Sequence, residues 1–559
     1  MGASASVNEA VAAAKTDGER ETLLIEQLKA TAPGLDADQQ ISIARQLVWA
    51  FKSASAAGKS PAETAEAMRA RGDALVATAT LPSFACPKVR FGKTELQMPI
   101  VTCGGMRMQQ SWGGAVQSMD QVSPECQENF VAIVKRALAL GINHFETARG
   151  YGCSELQYGA ALRAVLDEGC CARDAMIVQT KVAASADPER FRATMETSMG
   201  HLLPAVGHID LFAFHGINRD DQLEWITRPG GCMDVAREYQ KAGKLRHIGF
   251  STHGQTPTIV RAIETGLFDY VNLHYHWLGS YTASGCKPEG GNVAAVAAAR
   301  AQDMGVFCIS PVDKGGHLYD PSAKLAALCA PELSPIEYSL LWGWSAARGG
   351  HHTQVIGAAR PSDFDEAVSA ARLHGTPDGE ARLGSVEKRL AAVAEDALGA
   401  DWVAGWWKGV PNCWENAKGV HATNMVFYHN VITAFGLYSY ARERYNNNLG
   451  NRRKWVDDAS WDENMAKQDW GFGPGCALHA AGGAALLEEG ALKDCADPEK
   501  VARILDEVHG WLTAPPDPLP EGWESAFDAR PWPAFCERGK NAAPVTRAAY
   551  LDRAKAIAP

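Results

Sequence analysis

The segment Gly141-Ile142-Asn143-His144-Phe145-Glu146-Thr147-Ala148-Arg149-Gly150-Tyr151-Gly152 carries a short apolar strand that ends in an acid, and a glycine-flanked tyrosine follows five residues later. Two further strand-like runs each end on a lone functional residue: Met176-Ile177-Val178-Gln179-Thr180-Lys181, and His208-Ile209-Asp210-Leu211-Phe212-Ala213-Phe214-His215. The same alternation extends in both directions. Candidate strands fall at 98–104, 142–146, 176–181, 208–214, 245–250, 269–272, 305–309 and 353–356, with helical stretches such as Phe130–Leu140, Pro188–Leu203, Cys232–Lys241 and Val293–Met304 between them. Eight strands, each followed by a helix-like segment, predict an α/β fold whose parallel sheet closes into a (β/α)8 TIM barrel. A small hairpin, Lys88–Phe91 and Leu96–Met98 around Gly92-Lys93, precedes the first barrel strand.

The pattern changes on both sides of this region. Residues 1–85 read as an Ala-rich helical extension: Leu23, Leu24, Leu28, Ile41, Ile43, Ala44, Leu47, Val48 and Phe51 recur at helical intervals, and Ala32-Pro33-Gly34 breaks the run. The barrel region spans 86–375. Residues 376–559 form a third, mainly helical region that holds ten of the sixteen tryptophans, including Trp402, Trp406 and Trp407, and a Pro-rich stretch from Pro515 to Pro520. Tryptophans at such density read first as core.

The composition sets limits on function. With 559 residues, two or three domains are expected. A net charge of −11 without a basic block speaks against a nucleic-acid partner. No run of eighteen apolar residues is present, so no transmembrane segment is expected, and neither is a secretory signal. Met1-Gly2-Ala3-Ser4-Ala5-Ser6 fits the myristoylation pattern, although one acyl chain without a basic patch would give only weak membrane association. The fourteen cysteines are scattered, without CxxC spacing, as suits a reducing, cytoplasmic setting.

In a barrel of this kind, catalytic groups project from the C-terminal ends of the strands. Glu146, Lys181 and His215 end the second, third and fourth strands, and Tyr151 lies in the loop after the second. The four therefore converge on one mouth. A carbonyl that receives hydride develops negative charge on oxygen and needs a proton donor. Free tyrosine titrates near 10, so a neighbouring ammonium is expected to draw it toward working range. Lys181 can supply that charge, Glu146 can hold the lysine, and His215 can orient the carbonyl. Each residue alone reads as an ordinary ion-paired or hydrogen-bonded group; the order on successive strands carries the reading.

Residues from about 86 to 375 resemble an aldo-keto reductase. In that family an Asp, Tyr, Lys and His tetrad follows the second to fourth strands. Tyr151, Lys181 and His215 match it, Tyr151-Gly152-Cys153-Ser154-Glu155 resembles the family's Tyr-Gly-x-Ser-Glu, and Glu146 stands where most members carry Asp. The resemblance implies hydride transfer from a nicotinamide cofactor to an aldehyde or ketone, with Tyr151 supplying the proton. It implies NADPH in preference to NADH, bound without a Rossmann glycine motif. Ser251 in Gly249-Phe250-Ser251-Thr252-His253 and Asn272 would hold the nicotinamide amide. Ser310 in Ser310-Pro311 would follow the pyrophosphate. Gly357, Ala358 and Arg360 would form the turn for the adenosine phosphate, where Arg360 could pair with a 2′-phosphate or simply cap a solvated loop.

The tail carries a second resemblance. Gly409-Val410-Pro411, Ala434-Phe435-Gly436-Leu437 and Arg442-Glu443-Arg444-Tyr445-Asn446 resemble the region beyond the barrel in reductases that hold iron–sulfur ligands. Those members use Cys-x-x-Cys spacing, whereas Cys413, Cys476, Cys495 and Cys536 lie far apart, so a degenerate, structural relative is expected and no cluster. His351-His352 and His274-x-His276 invite a metal reading, but no third ligand is evident, and no metal is expected. Trp112, Trp277 and Tyr319 are candidates for the substrate pocket. A rival reading is an NADP(H)-binding redox sensor or scaffold barrel with little turnover, for which Glu146 and the two extra regions leave room.

Overall fold

The computed structural model describes residues 10–35, 37–56, 59–80, 84–112, 114–279, 292–416, 418–445 and 482–526, together with Pro533, Phe535 and Cys536. The Gly2 pattern, Cys476 and Asn446 lie outside the described residues.

Ten strands are described. A two-stranded antiparallel hairpin pairs β1 (Lys88–Arg90) with β2 (Gln97–Pro99), Val89 opposite Met98. The barrel is closed by β3 (Val101–Gly104), β4 (His144–Glu146), β5 (Ile177–Val182), β6 (Ile209–Phe214), β7 (Leu245–Ser251), β8 (Tyr270–Leu273), β9 (Gly305–Cys308) and β10 (Thr353–Ile356). All neighbours in it are parallel, and β10 returns to pair with β3. The strand predicted at 98–104 is thus two elements. Pro99 has no N–H for a barrel ladder and falls in the hairpin, and the barrel strand begins after Ile100, whose carbonyl accepts from Gln354 N (3.0 Å) and Trp344 Nε1 (2.8 Å). The hairpin turn drives Phe91 up under the barrel floor, where it is fully buried 5.8 Å from the Tyr270 ring.

The side-chain period of two sorts the strand residues. Phe145 faces outward onto Tyr158, whereas His144 and Glu146 face inward. The inward His144 joins Thr102 Oγ1 (2.8 Å) and Gln179 Oε1 (3.1 Å), and Gln179 Nε2 donates to the Tyr270 hydroxyl (3.3 Å). A satisfied polar layer therefore fills the barrel centre. Burial holds the His144 imidazole down at about 3, so it sits there neutral. Asp210, fully buried on β6, accepts from Val178 N (2.9 Å) and pairs with Arg173 (2.8 Å), which fixes β5 against β6 from below.

The helix Phe130–Leu140 read from the sequence starts earlier, at Pro124, because Ser123 caps it by accepting from Cys126 N (3.2 Å) and Pro124 suits a first turn. Cys232–Lys241 is found as expected. On the N-terminal side, the helices Asp17–Thr31, Ala37–Ala56 and Pro61–Thr80 share a core of Leu24, Leu28, Ile43, Leu47 and Val48 that reaches Ala326 of the barrel layer. Arg71 reaches from this layer to Glu337, which is fully buried, at 3.1 Å.

The C-terminal helices Pro377–Leu398, Ala422–Phe435 and Pro498–Thr513 form a further layer, in which Pro377–Leu398 packs on the helices Ala323–Cys329, Pro335–Trp344 and Asp365–Leu373 that flank β9 and β10. Stitches run to the segment 314–326. Tyr440 Oη donates to Lys314 O (2.8 Å), Ser322 Oγ to Phe435 O (2.5 Å) and Lys324 Nζ to Thr433 O (2.9 Å), while Ala323 N donates to Glu524 O (2.9 Å). No described helix is long and apolar enough to cross a membrane.

Candidate active site

Inward positions at successive strand ends bring three groups to one level. Register pairs Glu146 with Gln179 and Lys181 with Ala213, so Glu146, Lys181 and the residue after β6, His215, stand around one corner of the mouth. The β4 loop brings the fourth group back over them. Thr147 N donates to Gln179 O (2.9 Å) and Arg149 N to Lys181 O (2.9 Å), which ties the loop to β5. Gly152 adopts φ +55°, and a Cβ there would collide with Ser111 O, so this position needs glycine. Ser154 then opens the helix Ser154–Asp167, and Glu155, almost fully buried, accepts from Thr180 Oγ1 (2.7 Å) on the outer face of β5. The Tyr-Gly-x-Ser-Glu pattern is thus a turn plus an anchor, and it aims Tyr151 inward.

Glu146 Oε1 is the hub. It accepts from Lys181 Nζ and, at 3.4 Å, from the Tyr151 hydroxyl. Lys181 Nζ also donates to Thr147 O (2.7 Å) and lies 4.5 Å from the centre of the Tyr151 ring. Trp112 and His215 meet the tyrosine edge-on at 6.1 and 5.6 Å. The ammonium therefore sits under the ring face, and the carboxylate accepts a hydrogen bond from the phenol, which keeps its proton. Burial, and then the Glu146 charge, push the Tyr151 phenol well above the ordinary tyrosine range. This is the reverse of the direction expected from the sequence: burial of the phenol is the larger cause, and the Glu146 carboxylate, which bonds both partners, adds to it. Burial holds the Lys181 ammonium below its usual value, opposed by Glu146. Burial and Lys181 hold the His215 imidazole at about 3, so it is neutral near pH 7.

Glu146 is only 3% exposed and Lys181 1%. Removing one partner of such a pair leaves a buried charge uncompensated, at a cost of about 3–5 kcal/mol. Lys181→Met is expected to lose that much stability in urea unfolding, and Glu146→Gln added to it should restore a large part.

The other side of the mouth carries the nicotinamide-side candidates. Ser251 and Asn272 are paired neighbours on β7 and β8. Ser251 Oγ accepts from Gly216 N (3.1 Å). Asn272 is fully buried, and neither its Oδ1 nor its Nδ2 has a partner. An amide left with an acceptor and two donors free matches a ligand carboxamide, which offers the complementary set. Ser310 takes φ +54°, and its carbonyl accepts from Lys314 N (3.1 Å). At the end of β10, Gly357 leads to the buried Ala358 and then to Arg360. Arg360 Nε pairs with Asp363 (3.1 Å), whose other oxygen accepts from Ala359 N (2.8 Å) and Arg360 N (3.2 Å). Arg360 therefore reaches the turn already engaged, so a 2′-phosphate would compete with Asp363.

Several groups at the mouth were not singled out from sequence. Arg107, after β3, pairs with Asp313 (3.2 Å) and keeps a buried Nε without a partner. Lys314, after β9, is buried, and its ammonium is held well below the lysine range by burial and then by the like charges of Arg444 and Arg107. Lys314 Nζ lies 3.2 Å from His274 Nε2, which also lies 2.7 Å from His253 Nδ1; His274 Nδ1 is 3.3 Å from His276 Nε2. With Lys314 as donor, His274 Nε2 is an acceptor, His253 carries its proton on Nδ1, and His274 points its own at His276. The two histidines of the His274-x-His276 pair are thus joined by a third, His253, in a hydrogen-bonded chain. Only strand-end position hinted at these groups. Among the described residues, no three His, Cys, Asp or Glu side chains form a metal-binding group. Of the tail cysteines, Cys495 donates to Gly409 O (3.3 Å) and Cys536 to Pro533 O (3.2 Å). Of the aromatic candidates, Trp112 stands beside Tyr151, Tyr319 is buried, and Trp277 donates to Gly315 O (2.8 Å) and turns toward the C-terminal helices.

Residues 101–322 match the family model of the Aldo/keto reductase family. That stretch is an aldo/keto reductase domain. Among solved structures, the chain is similar to a Pseudomonas aeruginosa protein assigned to the aldo-keto reductases, at 17% identity over 52% of this chain and 98% of that one, with a TM-score of 0.38. It is also similar to a Bombyx mori aldo-keto reductase in complex with NADP, at 16% identity over 55% of this chain and 94% of that one, with a TM-score of 0.39. The reductase domain accounts for β3 to β9; the N-terminal helices, β10 and the C-terminal helices lie outside the matched residues.

Proposed function

We propose that this protein reduces an aldehyde or ketone to the alcohol with NADPH, and that Tyr151 gives the proton. The observation that carries the reading is the shared Glu146 Oε1, which joins the tyrosine and lysine of the tetrad on adjacent strand ends. The cofactor, when bound, supplies the hydride. Ser251 and Asn272 would hold its carboxamide, and Asn272 has both amide atoms free to do so. The Ser310 segment would follow the pyrophosphate, with the Arg107 and Lys314 charges close to it. Gly357, Ala358 and Arg360 would border the adenosine phosphate.

The phenol, held above its usual range, keeps its proton at neutral pH and so presents a loaded acid. As oxygen on the substrate gains charge, the Lys181 ammonium under the ring favours release of that proton, and the neutral His215 can donate a hydrogen bond to the same oxygen. Glu146 keeps the lysine in place. A sensor with little turnover is the second reading; the carboxylate bonded to the phenol favours it, because that bond holds back the proton.

The test is oxidation of NADPH by a generic aromatic aldehyde, followed by the absorbance of the reduced nicotinamide. Saturable turnover supports the reductase; cofactor binding without turnover over a broad carbonyl panel supports the sensor. Asn272→Leu keeps the branching of the side chain and removes the amide. It is expected to weaken NADPH binding by about tenfold to a hundredfold, the loss of two hydrogen bonds, measured by quenching of tryptophan fluorescence in the full chain. Unchanged affinity would remove Asn272 from the cofactor site.

A further inference from the structure

Outside the barrel staves, a cavity of about 350 Å³ opens between the turn Tyr275–Gly279 and the helices Pro335–Trp344, Pro377–Leu398 and Ala422–Phe435. Its wall is aromatic: Tyr275, Trp277, Trp342, Trp406, Phe427 and Phe435. No tetrad residue lines it. One polar side chain stands out. Asn430 lines the cavity, is 6% exposed, and has a buried Nδ2 without an acceptor.

Flipping the amide cannot mend this. Trp402 Nε1, which can only donate, lies 3.0 Å from Asn430 Oδ1, and His429 Nδ1 approaches the same oxygen at 3.3 Å. The oxygen is committed, so both Nδ2 hydrogens remain. A buried donor pair left without an acceptor costs about 1–3 kcal/mol, which a ligand oxygen would recover. The volume falls at the small end of ordinary ligand sites, about 300–1,000 Å³, and an apolar wall with one fixed polar group is their usual chemistry.

The wall also limits the charge of the occupant. Among the described residues that line it there is no Lys, Arg, Asp or Glu, and the one histidine among them, His276, is held at about 3 by burial and so stays neutral. No described lining residue would balance a carboxylate or an ammonium. We infer that this cavity is a binding site for an uncharged aromatic or alicyclic molecule of about two fused rings bearing a carbonyl-type oxygen, which accepts from Asn430 Nδ2. The site is separate from the tetrad and does not depend on the reductase reading. It does touch the mouth at one point, since His276 lines the cavity and is hydrogen-bonded through His274 to His253.

Titration calorimetry of the full chain tests it, with methyl 2-naphthoate and with 2-ethylnaphthalene, a similar shape without the acceptor. Both should bind saturably at one site, the ester about tenfold tighter, as one hydrogen bond allows. Asn430→Leu should bring the ester down to the hydrocarbon and leave the hydrocarbon as it was. Ala394→Trp, a change at the half-buried rim, should abolish both while the thermal melt is kept. No saturable binding to the wild type overturns the inference. So does binding that survives Ala394→Trp, or an ester preference that survives Asn430→Leu.

Discussion

Tyr151→Phe is expected to lower turnover with an aromatic aldehyde by about a hundredfold to ten-thousandfold, the usual range for a positioned general acid. The fold and cofactor binding should survive. The phenol O–H makes one hydrogen bond, and it is long, at 3.4 Å. The ring contacts to Trp112, His215 and the Lys181 ammonium persist in phenylalanine. Stability in urea should therefore move by less than about 1 kcal/mol, and the NADPH affinity should stay within twofold. Loss of turnover with both of these kept identifies the tyrosine as the proton donor. A phenylalanine variant that still turns over would move the proton to another group, and a wild type that never turns over would favour the sensor reading.

The second large effect is with acid. His144, His276 and His351 are buried, and burial first of all holds each imidazole at about 3. In the unfolded chain they titrate near 6.5, so between pH 3 and 6.5 the unfolded state binds more protons than the folded one. Stability therefore rises with pH across that window and falls as pH drops below 6.5. At pH 5 each histidine withdraws about 2 kcal/mol, and the three together about 6 kcal/mol, from a total that for most domains is about 5–15 kcal/mol. The barrel should lose most of its resistance to urea between pH 7 and 5. His144→Gln should flatten part of that slope. A urea midpoint unchanged from pH 7 to 5 would mean that these imidazoles are hydrated in the native protein.

The barrel was legible because each strand is a short apolar run between amphipathic helices, and strand ends mark the corner where the four candidate residues meet. Glu146, Lys181 and His215 could be found in that way, and Tyr151 by its glycines. What joins them was not legible. That one oxygen of Glu146 serves both neighbours, and that the ammonium lies under the ring, depends on side-chain reach. Arg107, His253 and Lys314 were passed over because a lone basic residue after a strand carries no local pattern; only closure of the barrel brings them together. The aromatic cavity needs Trp277 and Phe435 to meet across 158 residues, which periodicity does not encode. The split of the first strand was in reach, through Pro99.

The contact between Arg71 and the buried Glu337 spans 266 residues of chain. During synthesis at about 5–20 residues per second, the arginine leaves the ribosome on the order of 15 to 50 seconds before its carboxylate exists. For that interval the N-terminal helices have their own apolar seam but no surface to lie on. Helices made well before the barrel helix they lean on are thus among the last to find their place, and a pause in translation anywhere between the two lengthens the wait.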